Sequence, residues 1–354
     1  MNHLVIVRAI VVVLLVSSLI GCGVQPTAPI SESPIETPNS ATDLATVSPL
    51  ASVTSSPAAV NLPGRIFFTR AGGQYGDETI FSANADGSQE RQLTKPDAYC
   101  CQRVSPDGTR LLVMTEDQPT TGPITGGTIG VDGSPFVRLP LTDPTLNLVP
   151  QAWSPDGTRI AFEGWDDSDP SRNGVYTARY SDGSDVVRLS SVSRVHDIPS
   201  DYSPDGKWIV FFRAAAEADT EGWDIGGSLW VVDSDGNNAR QIETGKVVPS
   251  WWARWSPDGS KILFATARAQ ASGALWTVNP DGSNLAKIFE DPEGRFPITP
   301  TWSPDGRQVM FALDPIADEF RHPANAIYII NADGTGLTQV LGGSDFKRRM
   351  EWKP

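Results

Sequence analysis

Short apolar runs bounded by turn residues recur along the chain from Arg65 onward. One set, at 110–114, 159–162, 208–212, 261–265 and 308–312, follows a Ser-Pro-Asp-Gly tetrad. A second set, at 80–81, 175–176, 229–232, 275–278 and 327–330, precedes an Asp-Gly pair, and a third set of short runs comes after that pair. A residue that is usually aromatic stands before the tetrad: Trp153, Tyr202, Trp255 and Trp302, with Val104 as the exception. Runs this short, separated by turn residues, predict β-strands rather than helices.

The punctuation has its own mechanics. The tetrads open at Ser105, Ser154, Ser203, Ser256 and Ser303, so they are 49, 49, 53 and 47 residues apart. Proline presets φ for the second position of a type I turn, aspartate tolerates the third, and glycine suits the fourth. The Asp-Gly pairs at Asp86, Asp132, Asp182, Asp235, Asp281 and Asp333 interleave with the tetrads and mark hairpins. Each repeat therefore holds four antiparallel strands, A to D. The tetrad joins A to B, and Asp-Gly joins C to D. Four-stranded units of about 50 residues are propeller blades rather than solenoid coils.

Five full blades are expected to begin near Ala98, Asn147, His196, Val248 and Pro297, while 65–94 supplies only strands B, C and D. The chain ends at Glu351-Trp352-Lys353-Pro354, a repeat cut off before its turn. The fold class expected is all-β: a six-bladed propeller, closed by the C-terminal strand pairing with the N-terminal blade. Closure of this kind leaves no open sheet edge.

The first 63 residues read differently. Arg8 precedes an apolar run at 9–20, too short for a membrane span and suited to a signal sequence. The run ends in Leu19-Ile20-Gly21-Cys22, which resembles the lipobox of bacterial lipoproteins. Residues 1–21 are thus expected to be a signal peptide, Cys22 a lipidated N-terminus that holds a membrane, and 22–63 a disordered tether rich in Ser, Thr and Pro. The folded domain is then 64–354. The tether has an r.m.s. reach of roughly 35 Å.

Charge and composition narrow the function. The net charge of −14 argues against nucleic acid as a partner, since phosphates would be repelled. Apart from Cys22 the cysteines are Cys100 and Cys101, adjacent in one expected strand. They read as two small apolar residues or as a vicinal disulfide. No nucleophile elbow, zinc-protease helix motif, phosphate loop or dinucleotide fingerprint is present. The expectation is a non-enzyme without a cofactor.

The repeat as a whole, W-S-P-D-G, an apolar strand, Ile-Tyr or Leu-Trp, N-x-D-G and then L-T, resembles the TolB-type propeller family, a relative of the WD repeats. Segments 299–311 and 326–340 are near-consensus copies, and the resemblance covers 65–354. It implies an extracytoplasmic scaffold for protein–protein contact. TolB itself carries a further α/β domain, replaced here by the tether, so its cellular role does not transfer. Propeller lyases with histidine-rich metal sites also share the fold, whereas His196 and His322 are the histidines beyond the signal.

In such a meander the A–B and C–D turns share one face, and the long B–C loops and D–A connections share the other. Variable loops over a rigid scaffold are where binding concentrates. Trp165 and Trp223, each in a Glu-Gly-Trp-Asp tetrad, are candidates to hold a peptide or a sugar. Asp224 stands beside the second, and Asp166, Asp167 and Asp169 could offer oxygen ligands to calcium. Arg103, Arg194, Arg254, Arg295 and Arg348, with Trp252, are assigned to the D–A connections around the channel mouth. The expected partner is an envelope protein or peptide at the channel mouth, with an anionic end or zwitterionic, bound by a monomer. The rival is a carbohydrate-binding protein or a degenerate polysaccharide lyase.

Overall fold

Each Ser-Pro-Asp-Gly tetrad closes the same hairpin. In the first, the Gly108 amide donates to the Ser105 carbonyl at 2.9 Å, and the Ser105 amide donates to the Arg110 carbonyl at 2.8 Å. Ser105 Oγ donates to Asp107 Oδ1 at 2.6 Å and accepts from the Arg110 amide at 3.0 Å. Gly108 sits at φ +70°, in the left-handed region where a side chain is strained. The turn is a type I bend followed by a left-handed glycine. The computed structural model describes residues 62–71, 78–95, 99–115, 123–191, 196–214, 226–250, 252–266, 273–314, 326–343 and 345–354.

Blade 1 contains β1 (Arg65–Ala71), β2 (Thr79–Asn84) and β3 (Arg91–Gln92). Blade 2 is β4 (Tyr99–Val104), β5 (Arg110–Thr115), β6 (Gly126–Gly130) and β7 (Val137–Arg138). Blade 3 is β8 (Asn147–Trp153), β9 (Arg159–Trp165), β10 (Gly174–Arg179) and β11 (Val187–Arg188). Blade 4 is β12 (Asp197–Tyr202), β13 (Trp208–Ala214), β14 (Gly227–Asp233) and β15 (Arg240–Ile242). Blade 5 is β16 (Arg254–Trp255), β17 (Ile262–Ala265), β18 (Ala274–Val278) and β19 (Ala286–Glu290). Blade 6 is β20 (Phe296–Trp302), β21 (Gln308–Asp314), β22 (Ile327–Asn331) and β23 (Thr338–Leu341).

The last strand, β24 (Phe346–Lys353), pairs with β1, so blade 1 has the order β24-β1-β2-β3. All six sheets are four-stranded, and every pairing between neighbouring strands is antiparallel. Trp352 Nε1 donates to the Pro63 carbonyl at 2.9 Å, fastening the two ends of the propeller together. The six-bladed ring and its closure through the C-terminal strand are as the repeat predicts.

The core lies between blades. The second strand of a blade is covered on both faces, so it reads as a continuous apolar run. Phe68, Phe162, Phe211, Phe264 and Phe311 occupy corresponding positions in these strands and are fully buried. Burying one such ring contributes about 1.5–3 kcal/mol. Ile66 and Phe68 of blade 1 share a cluster with Met310, Ala312 and Ile327 of blade 6 and with Met350 and Trp352 of the closing strand. Five innermost strands carry a register shift at corresponding places, as between Cys100 and Arg103, Pro199 and Asp201, or Ile298 and Thr301. Bulges like these re-aim the residues that follow.

Candidate functional site

The bulged segments of β4, β12 and β24, with the two-residue strand β16, bring charged side chains to the axis of the ring. Arg103 of β4 and Arg254 of β16 both reach one oxygen of Glu351 on β24. The Arg103 contact is 3.3 Å, and the Arg254 contact is a close hydrogen bond. All three side chains are buried. Arg103 Nε also donates to the Gln151 carbonyl at 2.7 Å, and Arg254 donates to the Ser200 carbonyl at 3.4 Å. Blades 2 and 5 stand on opposite sides of a six-membered ring, so Glu351 ties together two arginines from across the axis.

The electrostatics follow from that packing. Burial and the neighbouring Arg254 pull Arg103 down to about 9, which still leaves it a cation at neutral pH. Burial alone would raise Glu351. Arg254, Arg103 and Lys353 outweigh it and hold the carboxyl below its ordinary value. Asp201 of β12 is raised by burial, against the pull of Arg254, and its Oδ2 accepts from the Trp255 amide at 3.1 Å. Above this group lies Trp252, half-buried, with the Arg103 guanidinium 4.8 Å from its ring centroid and that of Arg349 at 5.6 Å. Each guanidinium lies within cation–π reach of the ring.

The sequence assigns these arginines to connections between blades, and the structure corrects that. Arg103, Arg254 and Arg348 lie inside β4, β16 and β24. Register shifts in β4 and β24 break the alternation that would otherwise mark Arg103 and Arg348 as strand residues, and β16 is only two residues long. Arg348 pairs closely with Glu78, just before β2, and burial pulls it down to about 9. Arg295 does lie in a connection, but its guanidinium forks onto the buried Asp291 at 2.8 Å. Thus Arg103, Arg254, Arg295 and Arg348 are each paired with a carboxylate of this chain, Arg103 and Arg254 sharing one. Arg349 is held differently: Glu78 is 3.8 Å away, and its Nε has no hydrogen-bond partner among the described residues.

The loop of blade 3 departs further from a ligand site. Trp165 is buried against Met114 and Val149, so its ring packs instead of presenting a face. Asp166 is buried and fully engaged. It accepts from Ser168, from Thr145 Oγ1 at 2.7 Å and from Arg172 at 2.7 Å, and these donors hold it well below the usual carboxylate range. Asp169 caps the 3-10 turn Pro170–Arg172, accepting from Ser171, and Asp167 is exposed. The three carboxylates therefore point to separate tasks. Among the described residues no group of three His, Cys, Asp or Glu could hold a metal ion. Cys22, Arg194, Trp223, Asp224 and His322 lie outside the described residues, as do the side chains of Cys100 and Cys101.

Two groups escape a reading of the sequence. Glu351 looks like part of a truncated motif, and His196, whose Nδ1 lies 2.7 Å from Glu163 Oε1, looks like a solvated loop residue. A signal for the first exists. The residues before the aromatic position of the six blades are Arg103, Ala152, Asp201, Arg254, Thr301 and Glu351, a ring of mixed charge at one level of the axis.

No family model matches this chain. It is 27% identical over 223 residues to an uncharacterized protein of Agrobacterium fabrum, covering 59% of this chain and 67% of the relative. Among solved structures it is similar to TolB from Acinetobacter baumannii, at 18% identity and a TM-score of 0.63, covering 83% of this chain and 68% of that one. A TolB candidate from Agrobacterium tumefaciens matches at 18% identity and a TM-score of 0.56, over 82% of this chain and 99% of that one. An oligogalacturonate lyase in complex with manganese matches at 13% identity and a TM-score of 0.53, over 78% of each chain. The chain is a six-bladed β-propeller with the fold of the TolB proteins.

Proposed function

We propose that this chain is a non-enzymatic binding scaffold of the bacterial envelope, held to a membrane by a lipid on Cys22. It takes a protein partner on the loop face around the axis. The observation that carries the reading is the half-buried indole of Trp252, with the guanidinium groups of Arg103 and Arg349 within cation–π reach of its ring. An anionic segment of a partner would suit that arrangement: the chain lies on the indole, and its carboxylate is drawn by the positive charge left where Arg103 and Arg254 share the one carboxylate of Glu351. The likeness in fold to TolB supports a role in protein contact. The lipobox and the short apolar run at 9–20 support the envelope location.

The test is crosslinking of the full chain in its native membrane, followed by mass spectrometry. A reproducible protein partner is expected, with yield falling about tenfold or more for W252A and R349Q. A tenfold loss is about 1.4 kcal/mol, beyond the ~1 kcal/mol that most interface residues contribute when truncated. Failure to recover any reproducible partner sinks the reading.

A second reading follows from the lyase neighbour: the same arginine and tryptophan could hold an acidic oligosaccharide. In that case acidic oligosaccharides raise the melting temperature of the wild type, and R349Q loses the effect. Calcium at the blade 3 loop is not part of this proposal, because Asp166 is already saturated by donors.

A further inference from the structure

We propose that His196 and Glu163 form a proton-gated fastening between blades 3 and 4, at the root of the loop face. This goes beyond the binding role and does not depend on which partner is bound. Glu163 lies in β9 of blade 3, and His196 immediately precedes β12 of blade 4, so the 2.7 Å contact between Nδ1 and Oε1 crosses a blade interface. The His196 carbonyl accepts from the Ala214 amide at 3.0 Å, the last rung described before the segment that joins β13 to β14. The edge of the imidazole meets Trp165, with centroids 6.0 Å apart, and Trp165 packs on Met114 of blade 2 and Val149 of blade 3. One side chain thereby connects three blades at the base of a long loop. It remains 42% exposed, so solvent protons reach it.

The groups facing the imidazole are acidic. Glu163 faces it from β9, Asp167 from the loop after β9, and Asp197 from β12. Asp197 is already neutralised: Arg213 of β13 forks onto it at 2.7 Å and 2.7 Å, and Ser190 Oγ donates to it at 2.6 Å. Glu163 supplies most of the field, with Asp197, offset by Arg213, and the exposed Asp167 adding to it. The hydrogen bond to Glu163 raises His196 above its ordinary 6.5, against the opposing effect of burial. A raised folded value means that the fastening is complete below the unfolded value. It is lost as pH rises through the folded one. A neutral imidazole keeps its hydrogen bond but surrenders the charge that holds Glu163.

The experiment is a titration of the histidine resonances of the full chain by NMR, with H3Q and H322Q used for assignment, together with hydrogen exchange at the Ala214 amide. His196 is expected to titrate above 6.5, and E163Q moves it down. Ala214 protection, corrected for the intrinsic pH dependence of exchange, falls as pH rises through the titration. The fall is about tenfold for each unit by which E163Q lowers the titration. In E163Q the profile flattens. A wild-type His196 titrating at or below 6.5 overturns the proposal, and so does an E163Q profile that tracks the wild type. If E163Q does not fold, the wild-type titration decides alone.

Discussion

Glu351 shows how one side chain can organise a ring. Two buried cations from opposite blades share its carboxylate, and without it both would remain in a poorly solvated site. Removing one partner of a buried ion pair costs on the order of 3–5 kcal/mol. E351Q, which keeps the shape and loses the charge, is expected to lower the denaturant midpoint accordingly, with the slope of the transition unchanged. An unshifted midpoint would show that the clasp contributes no stability. The pH dependence has a definite sign. Because the folded carboxyl lies below its ordinary value, its contribution is present at neutral pH and disappears as pH falls through the carboxylate range. At this scale the sequence was partly legible. The aromatic-preceding position could be aligned by eye, but nothing in the chain says that Arg103 and Arg254 meet at the same oxygen.

At the scale of the element, the tetrad turns out to be a small self-contained machine. Ser154 Oγ donates to Asp156 Oδ1 at 2.6 Å and accepts from the Arg159 amide at 2.9 Å, and the Asp156 carboxylate also accepts from Thr158. Gly157 then turns at φ +71°. Adding a methyl group meets open space apart from Pro106 of the preceding blade at 3.9 Å, so the cost is almost purely conformational. G157A should therefore destabilise by about 1–2 kcal/mol, the usual cost of a left-handed alanine. D156N should cost much less, because an amide oxygen still accepts from the serine and the backbone. Parallel unfolding curves of the two variants check the order, and a D156N loss as large as that of G157A would contradict this account. The turns were legible because they are local: proline, aspartate and glycine act within four residues. The loop of blade 3 was not, since Asp166 is fixed by Thr145, which precedes β8, and by Arg172 beyond its own turn.

The whole molecule depends on its last strand. β24 covers β1, and Met350 and Trp352 complete the cluster around Ile66 and Phe68. Truncation before Phe346 would open both the ring and that cluster, leaving a long unpaired edge. The expected result is loss of the cooperative monomer, with oligomers or aggregate seen by size-exclusion chromatography and a broadened thermal transition. A truncated chain that remains monomeric and unfolds sharply would contradict closure as a source of stability. The blade count, the strand order and the terminal closure were determined by the sequence itself, because they rest on period, turn chemistry and alternation, all written within about 50 neighbouring residues. The state of the axis was decided only by tertiary structure. Whether an arginine is a free cation or a neutralised one depends on carboxylates hundreds of residues away: Glu351 lies 248 residues from Arg103, and Glu78 lies 270 from Arg348. Ring closure brings these partners together, and no local pattern encodes that distance.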